Sequence, residues 1–143
     1  LVLSLINAIT ILLLGLFVFH MPMNGSYLLL FSEIFLFVLS SLTLGLLIST
    51  LTDSQQTAML GSMMGLMLPT ILLSGFIFPI SSMPEILQII SHIIPAKWFI
   101  IIIKSIMLKG AGLESIAVET GILVFITLVL GAVTVKKFKI RLE

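Results

Sequence analysis

The chain has 143 residues, of which 59% are apolar and only 9% are charged, and its mean hydropathy is +1.34. Ordinary soluble domains carry about 25% charged residues, so this composition argues against a soluble enzyme or a disordered segment. A net charge of +1 gives no field that would attract nucleic acid, and the absence of cysteine removes disulfides, cysteine–zinc sites and thiol nucleophiles. The remaining class is an integral membrane protein whose solvent is the lipid bilayer.

Four apolar runs are long enough to cross a bilayer, which takes about 20 residues. The second run carries Glu33 and the last carries Glu119 near its start. Turn residues at 20–26 separate the first two runs, and polar residues from Asp53 separate the next two. Because the chain starts at Leu1 without a basic leader, we expect an N-terminal part of the protein to be missing. The predicted spans cover about residues 1–19, 27–52, 58–79 and 114–135.

The segment from about 80 to 108 differs from the spans, because prolines break it and charges interrupt it. Ser82 and Glu85 have the spacing of a capping box and predict a helix start. A second helix, from about 96 to 108, would be only about 20 Å long. We therefore predict a re-entrant helical hairpin that enters one face of the membrane and returns, with a single kinked span as the alternative.

The basic tail at 136–143 sets the predicted orientation. Four of the seven cationic residues lie there, directly after the last span, so the positive-inside rule places the C-terminus in the cytoplasm. The hairpin and the 20–26 turn then face outside, and the Asp53 loop faces the cytoplasm. The expected fold is all-α: one multi-pass transmembrane domain of four spans, with the re-entrant outer hairpin before the last span, in the inner or plasma membrane of a bacterial cell.

Motifs for catalysis are missing from the sequence. It contains no phosphate-binding GxxxxGK[ST] loop, no HExxH and no recognisable Ser/His/Asp set. We accordingly predict no catalytic, cofactor-binding or metal-binding residues.

Glu33 is the most informative single residue, because it lies about two turns into the second span. An acidic group at the centre of a membrane helix costs about 2.5–3.5 kcal/mol on insertion scales, so such a group usually faces a bundle interior or water. One interpretation is a polar group that lines a cavity. The other is a carboxyl near the interface, either protonated or paired with a hairpin lysine.

Small residues recur at a spacing of four on two spans, which places them on one helix face and predicts close helix packing. Pro69 should kink the third span, either as part of a gate or only as a structural feature. The methionines of that span could form an adaptable wall or could serve ordinary packing. The small residues are Ser41, Gly45 and Ser49 on the second span and Gly61 and Gly65 on the third; the methionines are Met59, Met63, Met64 and Met67.

Several motifs together resemble the C-terminal part of the membrane subunit of ABC-2 type exporters of the multidrug and antibiotic efflux kind. They are LGLLIS at 44–49 with DSQQ at 53–56, SGFIFP at 74–79 with MP at 83–84, PAKW at 95–98, and LKGAG at 108–112. The resemblance covers nearly the whole chain.

This resemblance implies a permease of six spans, of which the third to sixth lie here, with the hairpin covering the pathway on the outer side. Two permease copies would pair, and each would contact a separate ATP-binding cassette subunit, so this chain would be no enzyme and would bind no cofactor itself. The family's main coupling helix would lie upstream of Leu1. The loop Asp53, Ser54, Gln55 and Gln56 would be the part here that contacts the ATPase. Candidate pathway or gating residues are Glu33, Pro69, Pro79, Pro84, Pro95 and Lys104, the last standing where the family usually has an arginine.

Two other functions remain open at this stage. A membrane scaffold without transport would use the small-residue faces to bind partner helices. An ion-coupled secondary carrier would use Glu33 as its proton site.

Overall fold

The computed structural model describes residues 1–75, 77–110 and 112–142, with the backbone alone for 140–142. This part consists of helices, turns and connecting segments without a strand, which confirms the all-α class. A π-helical segment covers Met63–Met67, and short 3₁₀ turns cover Ile80–Ser82 and Leu113–Ile116. The α-helices are α1 (Val2–Phe17), α2 (Tyr27–Leu51), α3 (Gln55–Ser62), α4 (Leu68–Leu73), α5 (Glu85–Ser91), α6 (Pro95–Lys109) and α7 (Ala117–Leu142).

Three helical segments among the described residues are long and apolar enough to cross a membrane: Tyr27–Leu51, Gln55–Leu73 and Leu113–Lys139. Helices α5 and α6 pass the same criteria only as a pair, and they are bent by 81° at the break between them. Helix α1 has 16 residues, which is short of the roughly 20 that a span needs. The structure therefore contains three spanning helices, or four if the bent pair counts as one span.

The second spanning segment, Gln55–Leu73, is called the α3–α4 helix here. Proline at position 69 has no N–H, and its ring crowds the carbonyl four residues earlier. The predicted irregularity at Pro69 takes the form of the π-helical segment directly before it, where the N–H of Leu68 bonds to the carbonyl of Met63. The helix ends at Leu73, short of the predicted Pro79, because Gly75 adopts a left-handed conformation with φ of 81°.

The hairpin segment is divided between α5 and α6 directly before Pro95, as the prolines in its sequence predict. Helix α6 begins with Pro95 in its first turn, where the missing N–H costs nothing. The predicted capping box does not form: Pro84 is the residue before α5, Ser82 belongs to a 3₁₀ turn, and α5 has no side-chain cap. Helix α6 ends at Lys109, and the next residue, Gly110, has a left-handed φ of 62°.

The core lies where α2, α6 and α7 meet. Helices α2 and α7 run parallel, since Thr120 contacts Glu33 near their starts and Thr134 contacts Thr43 further along. Helix α6 runs antiparallel to α2, and the rings of Phe37 and Phe99 stack with their centroids 4.1 Å apart. The buried apolar residues of this core are Leu30, Ile34, Val38, Ile102, Ile106, Ile116 and Leu123.

The turn before α2 closes over the end of α6, and this contact is called the Asn24 clasp. The Asn24 backbone N–H donates to the carbonyl of Met107 at 3.1 Å, and its side-chain amide donates to the carbonyl of Leu108 at 2.9 Å. These bonds satisfy carbonyls that the end of a helix leaves without partners. The bundle thus has an Asn24 end and, at the other end of α2, an Asp53 end.

Candidate functional site

Three cavities follow one another along the interface between α2 and the α3–α4 helix. Their volumes are about 600, 510 and 290 Å³, beginning at the Asp53 end. Ser49, Gln55 and Ala58 line both the first and the second cavity, while Ser62 and Met67 line both the second and the third. Because neighbouring cavities share lining residues, they lie next to one another, and the series is called the α2–α3 groove below.

The mouth of this groove at the Asp53 end is polar. Thr50, Asp53 and Ser54 contribute to its lining, and Phe138 of α7 closes one side. Ser54 is the N-cap of α3: its hydroxyl oxygen accepts from the N–H of Thr57 at 3.2 Å and shares a 2.7 Å hydrogen bond with the Thr57 hydroxyl. Serine is among the best N-cap residues, so the sequence here fixes where α3 starts and how the mouth is shaped.

The middle of the groove has a wall of small residues facing a wall that contains methionines. Ser41, Gly45 and Ser49 line it from α2, with open space of 4 Å or more around a Cβ built on Gly45. Met59, Met63 and Met67 line it from the other side. Within the described ranges, the small residues of α2 thus line a groove, and close packing of another helix against this face stays a prediction.

The innermost part of the groove lies against the first turn of α6. Pro95 and Ala96 form its end, together with Phe37 of α2 and Thr70 of α4. Of the predicted gating residues, Pro95 is thus the one that the structure places at the groove. Its ring begins α6, so the same residue breaks the hairpin and closes the groove.

Pro69 and Pro84 come together in a separate cavity of about 500 Å³ between the α3–α4 helix and the start of α5. Pro79 is exposed and leads into the 3₁₀ turn at Ile80–Ser82. Lys104 is exposed on α6. Lys97, near the start of the same helix, is buried, with its ammonium 4.8 Å from the centre of the Trp98 ring.

Glu33 is 3% exposed and lies between α2 and α7, away from the groove lining. One of its oxygens, Oε1, accepts a hydrogen bond from the Thr120 hydroxyl at 2.9 Å, while Oε2 is buried without a hydrogen-bond partner. The carboxyl is therefore held by a hydroxyl of α7, and the suggested pairing with a hairpin lysine is not what the structure contains.

Gly61 and Gly65 lie on an exposed face of the α3–α4 helix, where a Cβ on either one would meet nothing within 4 Å. No helix among the described ranges packs against them. Close packing at this face remains a prediction, and the helix that packs there would have to come from another chain or from another segment of the protein.

Two features of the structure were missed by sequence reasoning. The Asn24 clasp joins residues more than eighty positions apart, and only the Pro-Asn-Gly turn signal marked one of its halves. The other is the spacing of Thr120, Thr127 and Thr134, which recur every seven residues along α7. That period is visible in the sequence, although the threonines lie within a long apolar run.

No set of three or more His, Asp or Glu side chains in the described ranges is placed to hold a metal ion. The geometry instead offers a groove with a polar mouth and mostly apolar walls, which lies beside a helix long enough to span a membrane.

Comparison with known proteins identifies a family and several relatives. The profile of a family described as ABC-2 family transporter protein matches residues 1–136. The chain is 41% identical over 108 residues to Escherichia coli YbhS, named a probable multidrug ABC transporter permease; the match covers 76% of this chain and 29% of that protein. Identity to YbhR of the same organism, also named a probable multidrug ABC transporter permease, is 34% over 139 residues, 97% of this chain and 38% of that protein.

A more distant relative is ABC transporter G family member 20 of Dictyostelium discoideum, 30% identical over 112 residues, which are 78% of this chain and 15% of that protein. The chain thus spans well under half the length of the curated relatives it matches. No solved structure matches it.

Proposed function

Since this chain belongs to the ABC-2 family of transporter proteins, we propose that it is part of the permease subunit of an ABC exporter and that the α2–α3 groove carries substrate. The observation that carries the proposal is the series of three adjacent cavities from the Asp53 end to the first turn of α6, each sharing lining residues with the next. A groove that follows a spanning helix can guide a molecule through the depth of the bilayer without exposing it fully to lipid.

The lining favours amphipathic cargo. The mouth offers hydroxyl, amide and carboxylate groups, whereas the deeper walls are mostly aliphatic, aromatic or methionine side chains. Methionine is flexible and polarizable, so it can adapt to substrates of different shape. The two Escherichia coli relatives are named probable multidrug ABC transporter permeases, which is consistent with a wall of this kind.

We further propose four spans with a re-entrant hairpin. The 81° bend between α5 and α6 supports the hairpin, because a helix of 15 residues reaches only about 22 Å and turns back toward the Asn24 end. Helix α1 would be the remaining span. With Lys136, Lys137 and Lys139 exposed beyond the apolar part of α7, the Asp53 end would be cytoplasmic and the protein would sit in a bacterial inner membrane.

The partners in this proposal are a second permease copy and a cytoplasmic ATP-binding cassette subunit that binds and hydrolyses ATP. The loop from Asp53 to Gln56, which leads into α3, is the candidate contact with the ATPase. Movement of that loop would act directly on the mouth of the groove, because Asp53, Ser54 and Gln55 line it.

The test is to fill the groove. Gly45→Leu in the full-length permease, reconstituted with its ATPase, should reduce ATP-dependent transport of fluorescent amphipathic dyes about tenfold or more, since a side chain would project where the second cavity now is. The matched control is Gly121→Leu, another exposed helical glycine with no neighbour within 4 Å, which lies on α7 outside the groove. Equal transport by both variants would contradict a route through this groove.

The exposed glycine face of the α3–α4 helix supports a second candidate, a scaffold that binds a partner helix. Gly61→Leu combined with Gly65→Leu should then dissociate a complex that contains no detectable transport activity. Loss of dye transport in the same double variant would instead support pairing of permease copies through this face.

A further inference from the structure

A row of polar side chains runs through the interface between α2 and α7, and it is called the polar seam here. On α7 it contains Thr120, Thr127 and Thr134, and on α2 it contains Glu33 and Ser40; neighbouring members on each helix are seven residues apart. Seven residues are two turns, so each set lies along one face of its helix, as in parallel helices that pack through a repeating seam.

The seam has one short hydrogen bond across the interface, near the starts of the two helices, and one longer polar contact further along. The Thr120 hydroxyl donates to Glu33 Oε1 at 2.9 Å, and the Thr134 hydroxyl lies 3.5 Å from the carbonyl of Thr43 while also donating to its own helix at Leu130. Ser40, between these two contacts, is fully buried. Glu33 and Thr134 are also buried, whereas Thr120 and Thr127 are half-buried. The Ser40 hydroxyl has no hydrogen-bond partner, so the link between the two helices depends on Glu33 and Thr120. Leu30 and Leu123 belong to the same core.

Such an arrangement allows few relative positions of the two helices. Between apolar helices in lipid there is no hydrophobic driving force, so their relative position depends on side-chain packing and on hydrogen bonds between the helices. A slide of one turn, about 5.4 Å, would place Leu123 or Val124 opposite Glu33 instead of Thr120. The buried carboxyl would then lose its hydroxyl donor, which is costly at this depth.

The α3–α4 helix is attached to α2 in a different way. The groove of about 510 and 290 Å³ separates the two along most of their length, and Gly45 faces open space. Helix α6, by contrast, is bound to the start of α2 by the Asn24 clasp and shares the core with α7. On one side, α2 is therefore held in position by polar contacts with α7, and on its other side it contacts the α3–α4 helix only loosely.

We propose that the polar seam locks α2 and α7 into one rigid body, and that the α3–α4 helix is the wall of the groove that moves during transport. The second half of this statement rests on the proposed function, whereas the lock itself does not. Glu33 is in this view a residue that positions α7. Its role is not to receive substrate.

The lock is tested by disulfide cross-linking of the full-length permease in membranes, with other cysteines replaced. Thr43→Cys is combined with Thr134→Cys, or with a cysteine one turn away at Leu130 or Phe138. When Glu33 and Thr120 are unchanged, the Thr43→Cys/Thr134→Cys pair should give the highest yield of disulfide. In Glu33→Leu with Thr120→Val, the displaced pairs should rise about threefold or more relative to it, which matches an average interhelical hydrogen bond in a membrane.

The double variant removes both polar partners, so no unpaired carboxyl remains to prevent folding. Thr120→Ser keeps the hydroxyl and should retain the parent profile, and Thr10→Val removes an exposed threonine hydroxyl that bonds only within α1. A profile in the double variant as sharp as in the parent would overturn the lock, as would equal broadening by Thr10→Val.

The moving wall is tested in vesicles that contain the permease and its ATPase. The Thr43→Cys/Thr134→Cys pair is compared with Ser41→Cys/Thr70→Cys across the groove, the latter joined by a bifunctional maleimide, with and without a non-hydrolysable ATP analogue. Only the groove pair should change its yield, by about threefold or more. A similar change in both pairs overturns the lock, and no change in either overturns the moving wall. If the ATPase fails to bind the permease, the proposed function fails, while the first experiment still decides the lock.

Discussion

The Asn24 clasp makes a strong prediction for Gly25, because this residue has no room for a side chain. A Cβ built there would lie 2.5 Å from the carbonyl oxygen of Ile106 and 2.8 Å from its Cγ2 atom. Real Cβ atoms essentially never approach so closely, and the nearer of these contacts is with backbone, which cannot rotate away. Gly25→Ala should therefore push the turn off the end of α6.

The size of the effect follows from the distances. To bring the 2.5 Å contact to an ordinary 3.4 Å, the turn must retreat by about 0.9 Å. The two Asn24 bonds, now 3.1 and 2.9 Å, would then stretch toward about 4 Å, beyond hydrogen-bond range. Two lost bonds at about 0.5–1.5 kcal/mol each predict a loss of about 1–3 kcal/mol in the free energy of unfolding.

Thermal unfolding of the purified permease in detergent measures this loss as a melting temperature lowered by several degrees. Gly112→Ala is the matched control, since it lies just beyond the same end of α6 with nothing within 4 Å and an ordinary φ of −83°. Equal melting temperatures for the Gly25→Ala and Gly112→Ala proteins would refute the close approach at Gly25.

Three further predictions concern the ends of the bundle and Glu33. Ser54→Ala should weaken the N-cap of α3 by about 1 kcal/mol, so the amide of Thr57 should exchange hydrogen about fivefold faster, whereas Gln56→Ala should leave it unchanged. A fluorescent protein fused after the basic tail should fluoresce, and alkaline phosphatase at the same position should be inactive, if the C-terminus is cytoplasmic; the reverse pattern would invert the topology. In the Glu33→Gln variant, dye transport should still depend on ATP, and a pH gradient alone should drive no transport. If a pH gradient drives uptake in the unmodified protein and Glu33→Gln abolishes it, the ion-coupled carrier is supported instead.

Much of the fold could be predicted from local features of the chain. The apolar runs and the turn residues placed α2 within one residue of its observed bounds and α7 within three residues of its start, and Pro95 located the break between α5 and α6. Helix α7 continues seven residues past the predicted end of the last span, through the basic tail. These predictions succeed because helix starts, stops and breaks depend on residues within a few positions. Predictions failed where two local signals pointed to different helix starts. Ser82 and Glu85 have the spacing of a capping box, but Pro84 is the residue that precedes α5.

The candidate site was less predictable, because the same residue pattern serves two arrangements. Ser41, Gly45 and Ser49 at a spacing of four suggest close packing, and only the placement of the α3–α4 helix turns this face into a groove wall. Similarly, Glu33 could have faced water, a lysine or a hydroxyl. The sequence marks it as unusual, but its partner Thr120 lies 87 positions away.

The sequence by itself therefore determined that this is a helical membrane protein whose helices end or bend at particular prolines and glycines. Those properties depend on composition and on neighbours along the chain. The tertiary structure alone decided that α2 meets α7 tightly and the α3–α4 helix loosely, that Asn24 closes over α6, and which small-residue face stays open. In a chain where most helix faces are equally apolar, hydrophobicity does not select between partners. That choice rests on a few polar contacts and close backbone approaches, which exist only once the helices are assembled.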